Sequence, residues 1–428
     1  MDYFEYKNKT LYCEEVKVED IIAEVGTPAY IYSKNAIISR YQEIEDAYRD
    51  VNTTICFSVK SNSNLAICKA LADEGAGFDV VSGGELFRAL KAGGNPSNIV
   101  YAGVGKSDGE IRYALENDIF MFNVESQAEL KHISALAVKA GKTARVALRI
   151  NPDIDAKTHA KTTTGKKENK FGIDFTAAEK IMKQSGKYPN VDLCGIHVHL
   201  GSPIYSADPY AQALKKVSEF IQRCRKMGRN IEYLNVGGGY CISYTGEEVM
   251  RPADYAAKII PFVKEMQCNM VMEPGRFIVG NSGILVTRVL YTKEASFGKK
   301  FVVCDAGMND LIRPALYDAF HRMWPVTTNV KMPAVEMPGD KVVKKGMEVV
   351  DVVGPVCESS DVFAKDRALP KLDEADLLTI FSAGAYGFAM SSSYNSRPRP
   401  CEVLVDGKQF RVTRKRETYD DLIRGEVR

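Results

Sequence analysis

Nowhere in the 428 residues is there an apolar run of the ~18–20 residues needed to cross a bilayer as a helix. The first residues, MDYFEYKNKTLYCEE, carry mixed charge and lack the apolar core of a secretory signal. Charge of one sign is not in excess either. Lys+Arg 57 against Asp+Glu 55 gives a net +2, which argues against a surface that grips a nucleic-acid backbone. Ten cysteines lie at 13, 56, 68, 194, 224, 241, 268, 304, 357 and 401 without a CxxC pair. That scatter is neither a zinc site nor a disulfide framework, and it suits reduced thiols in a cytosol. There is no low-complexity segment. With 45% apolar and 26% charged residues the chain is not disordered, collagen-like or a coiled coil. The expectation is a cytoplasmic protein of two or three domains, without membrane or nucleic-acid partners and with enzyme as the leading class.

From residue 53 onward, short β-rich apolar runs alternate with amphipathic stretches. The runs are TTICFSV (53–59), GFDVVS (77–82), NIVYAG (98–103), IFMFNV (119–124), RVALRI (145–150), CGIHVHL (194–200), YLNVGG (233–238) and NMVMEP (269–274). Between them, ELFRALKAGG (85–94) and ESQAELKHISALAVKAG (125–141) have helical spacing with glycine beyond the last turn. Strand–helix alternation implies parallel strands, and eight repeats fit an α/β fold of the (β/α)8 barrel type, with a doubly wound open sheet as the alternative. After about residue 280 the texture changes to strands with few helices: 283–293, 346–358, 377–386 and 401–417. Asp406-Gly407 signals a hairpin whose two central residues need positive φ. A second, mostly antiparallel β domain is expected, joined through Gly280-Asn281-Ser282-Gly283.

Four clusters fall at the ends of these runs, where a barrel places its chemistry. Lys60 ends the first. A lysine there is usually a solvated charge, and its chemical use is a Schiff base with a carbonyl compound. In IHVHLGS, strand periodicity puts His197 and His199 on one face. Only His132, His159 and His321 remain as further histidine ligands, none in a matching motif, so no metal is expected. A flat imidazole there could instead stack on an aromatic cofactor. NVGGGY (235–240) offers bare backbone N–H groups to an anion, although most glycine runs at strand ends are plain turns. It is neither GxGxxG nor a P-loop. MEPGRF (272–277) combines Glu273, suited to keeping a pyridine nitrogen protonated, with Arg276, a planar donor for phosphate or carboxylate. A Glu–Arg ion pair is the bland reading. In the β domain, GPVCESSD (354–361) sets a cysteine beside an acid, though most such thiols are inert. SAGAYGFAMSSSYNSRPRP (382–400) has the composition of a solvent-facing loop.

Taken together, FSVKSNSN, GAGFDVVSGGEL, GVGKSD, GKKENKFGID, HVHLGS, NVGGGY, MEPGR, DAGMNDLIRPALYDAFH, VGPVCESSD and AYGFAMSSSYNSRPRP, in this order from residue 57 to 400, resemble the diaminopimelate decarboxylases. These are pyridoxal-phosphate enzymes of the alanine racemase and ornithine decarboxylase fold group. The resemblance implies a pyridoxal-phosphate-binding barrel over 30–280, with 1–29 and 281–428 forming a β-rich domain that completes the active site. It implies that Lys60 holds pyridoxal phosphate through its amine and that His199 stacks on the ring. Ser202, Gly237, Gly238, Gly239, Gly275 and Arg276 would surround the phosphate, and Tyr386 would also reach the cofactor. Glu273 would pair with the pyridine nitrogen, and Asp79 would lie near the cofactor. Cys357 would return a proton to the carbanion, arriving from the partner subunit of a homodimer. Two departures bear on loop behaviour or cofactor affinity: Lys166, where relatives usually have an apolar residue, and Ser58 with Ser61, where alanines are common.

The resemblance also implies the reaction, loss of CO2 from the D-centre of meso-2,6-diaminopimelate to give L-lysine, the last step of lysine biosynthesis. Arg276, Arg313, Tyr317, Glu358 and Tyr386 would bind the substrate, because its distal amino-acid head needs cation and anion partners together. The rivals are same-fold decarboxylases of ornithine, lysine, arginine or carboxynorspermidine. A racemase would need a tyrosine base where CESSD offers a thiol. A non-catalytic cofactor-binding regulator would typically have lost Lys60 or Cys357.

Overall fold

The computed structural model describes residues 3–156, 170–340 and 342–427. Lys166 and His159 lie outside the described residues. Contacts divide the chain into two compact units, 39–241 with 249–277, and 1–38 with 242–248 and 278–428.

In the first unit all eight expected runs are strands: Thr53–Ser58, Gly77–Val80, Ile99–Tyr101, Met121–Val124, Ala144–Arg149, Val191–His197, Tyr233–Asn235 and Asn269–Met272. Each pairs in parallel with the next in chain order, and the eighth closes on the first, so the sheet is a barrel and not an open sheet. Five of the helices between them start where a side chain accepts from the free N–H groups of the first turn. Asn64, Ser82, Ser107, Ser126 and Asp174 all do this. The second expected stretch is the helix Gln127–Ala140, and it ends on Gly141 in the left-handed region (φ 63°) that glycine enters without steric cost.

The two-residue period of a strand sorts the barrel interior into layers. Cys56, Val100, Met121, Ala147, Cys194 and Val271 pack as one buried apolar cluster. Two residues beyond several of these come Ser58, Asn123, Arg149 and Glu273, while Asp79 is the penultimate residue of its strand and His197 and Asn235 end theirs. All seven are buried. A dry apolar plug thus lies beneath a buried polar layer at the carboxyl ends of the strands.

The second unit has a three-stranded antiparallel sheet, Phe4–Lys7, Thr10–Cys13 and Val16–Lys17, and a mixed nine-stranded sheet. The long strand Gly283–Glu294 organises the latter, pairing antiparallel with Ala29–Ser33, Leu377–Ile380 and Lys300–Cys304. Parallel pairs also occur, Lys300–Cys304 with Met347–Val353 and Ala29–Ser33 with Cys401–Asp406. The expected boundaries shift accordingly. Ala29–Ser33 is a strand of this sheet, so the units divide at 38/39 and 277/278 and not at 29/30 and 280/281.

Three further expectations change. The hairpin register Asp406↔Gln409 makes Gly407 and Lys408 the central pair, and Gly407 (φ 63°), not Asp406, takes the positive φ. The run 377–386 is a strand only over Leu377–Ile380, because Ser382 and Tyr386 adopt φ of 58° and 56°, which no strand accommodates. The loop that follows is not solvent-facing in its first part: residues 381–385, Gly387 and Phe388 are buried.

Gly77 tests how tightly the barrel is closed. A Cβ there would lie 2.2 Å from the Asn98 carbonyl oxygen and 3.0 Å from Cys56 Sγ. Gly77→Ala is expected to cost about 1–3 kcal/mol by overpacking and to lower the thermal midpoint by about 2–10 °C in a melting experiment.

Candidate active site

The first barrel strand ends at Ser58, and a tight turn, Val59–Ser61, carries Lys60. Lys60 Nζ donates to Asp79 Oδ2 at 2.6 Å, and Ser58 Oγ donates to the same oxygen at 2.6 Å. The pair is one-sided: Asp79 is fully buried whereas the Lys60 side chain is 37% exposed. Burial and the negative charge of Glu273 push the Asp79 carboxyl above its usual range, opposed by Lys60 and the Ser58 hydroxyl.

Glu273 follows the eighth strand. Its Oε1 accepts from Asn123 Nδ2 at 2.8 Å and Asn235 Nδ2 at 2.7 Å, and Oε2 lies 3.4 Å from His197 Nε2. Burial alone would raise its pKa, but His197 and Lys60 outweigh burial and hold the carboxyl well below the carboxylate norm. Two enclosed carboxyls are thus driven in opposite directions around one lysine, the pattern of a site that separates proton-holding roles.

His199 is not on the strand with His197, since that strand ends at His197 and His199 stands in the loop beyond. Its Nδ1 accepts the Gly238 N–H at 3.2 Å, so a proton resides on Nε2. Burial, with the charge of Arg149, pushes its pKa far down, so the ring is neutral. The glycine run is tied on all sides. Gly237 N–H donates to Asn235 Oδ1 at 2.9 Å, Glu273 N–H donates to the Gly237 carbonyl at 2.9 Å, and Tyr210 donates its hydroxyl to the Gly238 carbonyl at 2.6 Å. Side chains do not fit here. A Cβ would come within 2.6 Å of His199 Nδ1 at Gly237, 2.1 Å of the Glu273 carbonyl oxygen at Gly238 and 2.5 Å of the Gly201 oxygen at Gly239. Arg276 is buried and donates from Nε to Ser202 Oγ at 3.2 Å. Gly275 packs against Ser58 and Ser61. Within this unit, then, an amine, a neutral flat ring, an ionised carboxyl, a bare glycine run and a buried guanidinium gather at the strand ends, the donor set that a phosphorylated pyridine aldehyde requires.

Sequence reasoning missed Asn123 and Asn235, the amides that seat Glu273. Their signal was an amide two residues past an apolar inward position in FMFNV and YLNV. It also missed Tyr210 and the buried pair Arg149–Glu125, joined at 2.7 Å.

The remaining candidates belong to the second unit. Arg313 is buried, and its Nη1 donates to His321 Nε2 at 2.8 Å. The carbonyl of Phe381 accepts from His321 Nδ1 at 2.8 Å, so the buried imidazole is neutral, accepting on one side and donating on the other. The Arg313 guanidinium also lies 4.8 Å from the ring centre of Tyr244. Among the described residues Arg313 has no carboxylate partner. Tyr317 and Tyr386 are partly buried. Cys357 is the one exposed cysteine of the ten. Its N–H donates to Asn395 Oδ1 at 2.9 Å, and exposed Glu358 accepts from the Tyr394 hydroxyl at 2.9 Å. The loop is closed by buried Asp361, which accepts from the Val356 and Met308 N–H groups, both at 2.6 Å. No group of three or more His, Cys, Asp or Glu among the described residues is arranged to hold a metal ion.

Residues 34–280 match the family model described as pyridoxal-dependent decarboxylase, pyridoxal binding domain. The diaminopimelate decarboxylase of Pseudomonas aeruginosa is 43% identical over 426 residues, covering 100% of this chain and 99% of that one. That of Aquifex aeolicus is 42% identical over 422 residues, covering 98% and 96%. The chain belongs to the diaminopimelate decarboxylase family. The crystal structure of diaminopimelate decarboxylase from Helicobacter pylori complexed with L-lysine superposes with a TM-score of 0.88 at 41% identity, over 95% of this chain and 98% of that one. As a diaminopimelate decarboxylase-family protein, the chain is a pyridoxal-phosphate-dependent amino-acid decarboxylase, a carbon–carbon lyase. No helix among its described residues is long and apolar enough to cross a membrane.

The glycine run gives a test. Gly238→Ala, which would displace either the Glu273 carbonyl or the loop, is expected to weaken pyridoxal-phosphate binding at least about tenfold with an unchanged far-ultraviolet dichroism spectrum. An absorbance titration of the apoprotein measures it.

Proposed function

We propose that the protein removes the carboxylate at the D-centre of meso-2,6-diaminopimelate, giving L-lysine and CO2, the last step of lysine biosynthesis, in the cytoplasm. The observation that carries this choice of substrate is Arg313. A buried guanidinium whose polar side-chain partner is a neutral histidine keeps its charge for an incoming carboxylate. An ornithine or lysine substrate ends in an ammonium, which such a site repels, whereas diaminopimelate ends in a second amino-acid head. Tyr317, Glu358, Arg276 and Tyr386 complete the set that receives this head, with Glu358 facing its ammonium.

When bound, pyridoxal phosphate supplies the electron sink for the pair left on Cα as CO2 departs. Lys60 holds it through its amine, and Asp79 keeps that amine in place. Gly237, Gly238, Gly239, Gly275, Ser202 and Arg276 bind the phosphate, and Tyr386 also contacts the cofactor. His199, neutral, would stack on the ring. Glu273, ionised and seated by Asn123 and Asn235, holds a proton on the ring nitrogen. Cys357, the exposed thiol on the Asp361-closed loop, returns the proton to Cα, and it does so across a homodimer, from the partner subunit. Ionisation of Glu273 in so enclosed a place supports the ring-nitrogen role, since a neutral carboxyl there could not retain the proton.

Two measurements check the reading. Arg313→Ala forfeits charge-assisted bonds of about 1.5–3 kcal/mol each, so KM for meso-diaminopimelate is expected to rise by about one to two orders of magnitude. An unaltered KM would remove Arg313 from the site, and faster CO2 release by the unmutated protein from ornithine or lysine than from meso-diaminopimelate would overturn the choice of substrate. Mixing inactive Lys60→Ala and Cys357→Ala chains is expected to restore about a quarter of wild-type activity, since half of the dimers are mixed and each has one intact site. No recovery would place Cys357 in its own subunit's site.

A further inference from the structure

Ser58 and Asp79 face each other directly in the register of the first two barrel strands. The Ser58 backbone is pinned on both sides, its N–H donating to the Pro274 carbonyl at 3.0 Å and its carbonyl accepting from Ser61 Oγ at 2.7 Å. Its hydroxyl therefore has a fixed origin, and it donates at 2.6 Å to the Asp79 oxygen that also receives Lys60 Nζ. The other oxygen, Oδ1, is buried without a hydrogen-bond partner among the described residues. Both of the carboxylate's donors thus meet at a single atom, and the backbone of Ser58, unlike the four-carbon stem of Lys60, does not let its donor wander.

We propose that Ser58 is a positioning residue for the cofactor-holding amine: its hydroxyl keeps Asp79 ionised and oriented, and Asp79 in turn holds Lys60. This rests on the reading of Lys60 given above. The groups that face Asp79 from the surrounding elements are Lys60 and Cys56 from the first strand and its turn, Glu273 after the eighth strand, and Glu85 on the helix Gly83–Lys91. Two are carboxyls that disfavour a further negative charge, and burial does the same; burial also raises Glu85 to about 7. Against them stand the lysine and the serine hydroxyl, so withdrawing the hydroxyl shifts Asp79 toward its protonated form.

The test is a pH titration of the apoprotein followed by infrared spectroscopy at the protonated-carboxyl stretch, with Asp79→Asn to identify the band. Ser58→Ala is expected to move the Asp79 midpoint up by about one pH unit, a tenfold gain in proton affinity, and Ser58→Thr, which keeps the hydroxyl, leaves it in place. Ser58→Cys, nearly the same size with a weak donor, shifts it the same way by less and serves if the alanine variant does not fold. The acid limb of the rate at which added pyridoxal phosphate develops colour follows the same displacement. An unmoved midpoint in folded Ser58→Ala or Ser58→Cys protein overturns the proposal. Colour development in Lys60→Ala would instead overturn the functional reading, whatever Ser58 does.

Discussion

Burying several formal charges in one layer is the constraint on which the barrel unit depends. Asp79, Glu273, Glu125 and Arg149 are each buried at the carboxyl ends of the strands, with Lys60 at their edge. An enclosed ion is tolerated only when its partners are well placed, because desolvation costs several kcal/mol per ion. Their partners are gathered from several strands: Ser58 from the first, Asn123 from the fourth, Arg149 from the fifth, His197 from the sixth and Asn235 from the seventh. The layer therefore exists only when the barrel is closed and in register, and the chemistry of the site is a by-product of correct strand pairing.

The supports for that layer are themselves enclosed. Lys106 donates to the carbonyls of Gly103 and Asn123 and pairs with Glu129 at 2.6 Å, fixing the end of the strand whose amide seats Glu273. Beneath the glycine run, Tyr210, Tyr240 and Tyr255 pack as a buried cluster, the last two stacked at 4.1 Å, with Tyr210 holding the Gly238 carbonyl. Aromatic rings bring large buried area together with one polar atom each, and two of those atoms hold loop backbone here: Tyr255 donates to the Ile204 carbonyl and Tyr210 to that of Gly238, while the Tyr240 hydroxyl meets that of Tyr48. A run of three glycines, flexible by composition, is rigid in place.

The second unit uses the same economy with different parts. His321 turns a buried arginine by accepting from it, and is itself held by the Phe381 carbonyl, so the loop after Leu377–Ile380 decides where Arg313 stands. Asp361 closes the loop bearing Cys357. Gly354 must be glycine there, because a Cβ would lie 2.4 Å from Asp361 Oδ2. The exposed thiol rides on a loop whose base is buried and whose tip is exposed, tied by Asn395 and Tyr394.

Much of this was legible from residue order. Eight apolar runs separated by helix patterns can close only as parallel strands with crossovers, and Lys60, the HVH pair, the glycine run and Glu273 sit where each run ends. Periodicity and punctuation are local properties, so the chain itself determined the parallel βα repeat, the β-rich remainder and the placing of these groups on strand ends, while closure into a barrel was decided by the pairing of the eighth strand with the first. It did not determine that Ala29–Ser33 leaves the barrel for the other sheet, that positive φ at Ser382 and Tyr386 stops a strand, or that Gly407 and not Asp406 takes the left-handed turn. Nor did it reveal that Asn123 and Asn235 converge on one carboxylate, or that His321 seats Arg313. Several of those outcomes depend on residues distant in sequence meeting, as Asn235 meets Glu273 38 positions on and Asn123 meets it 150 positions on, and such meetings are decided by packing and by the need to satisfy buried polar atoms.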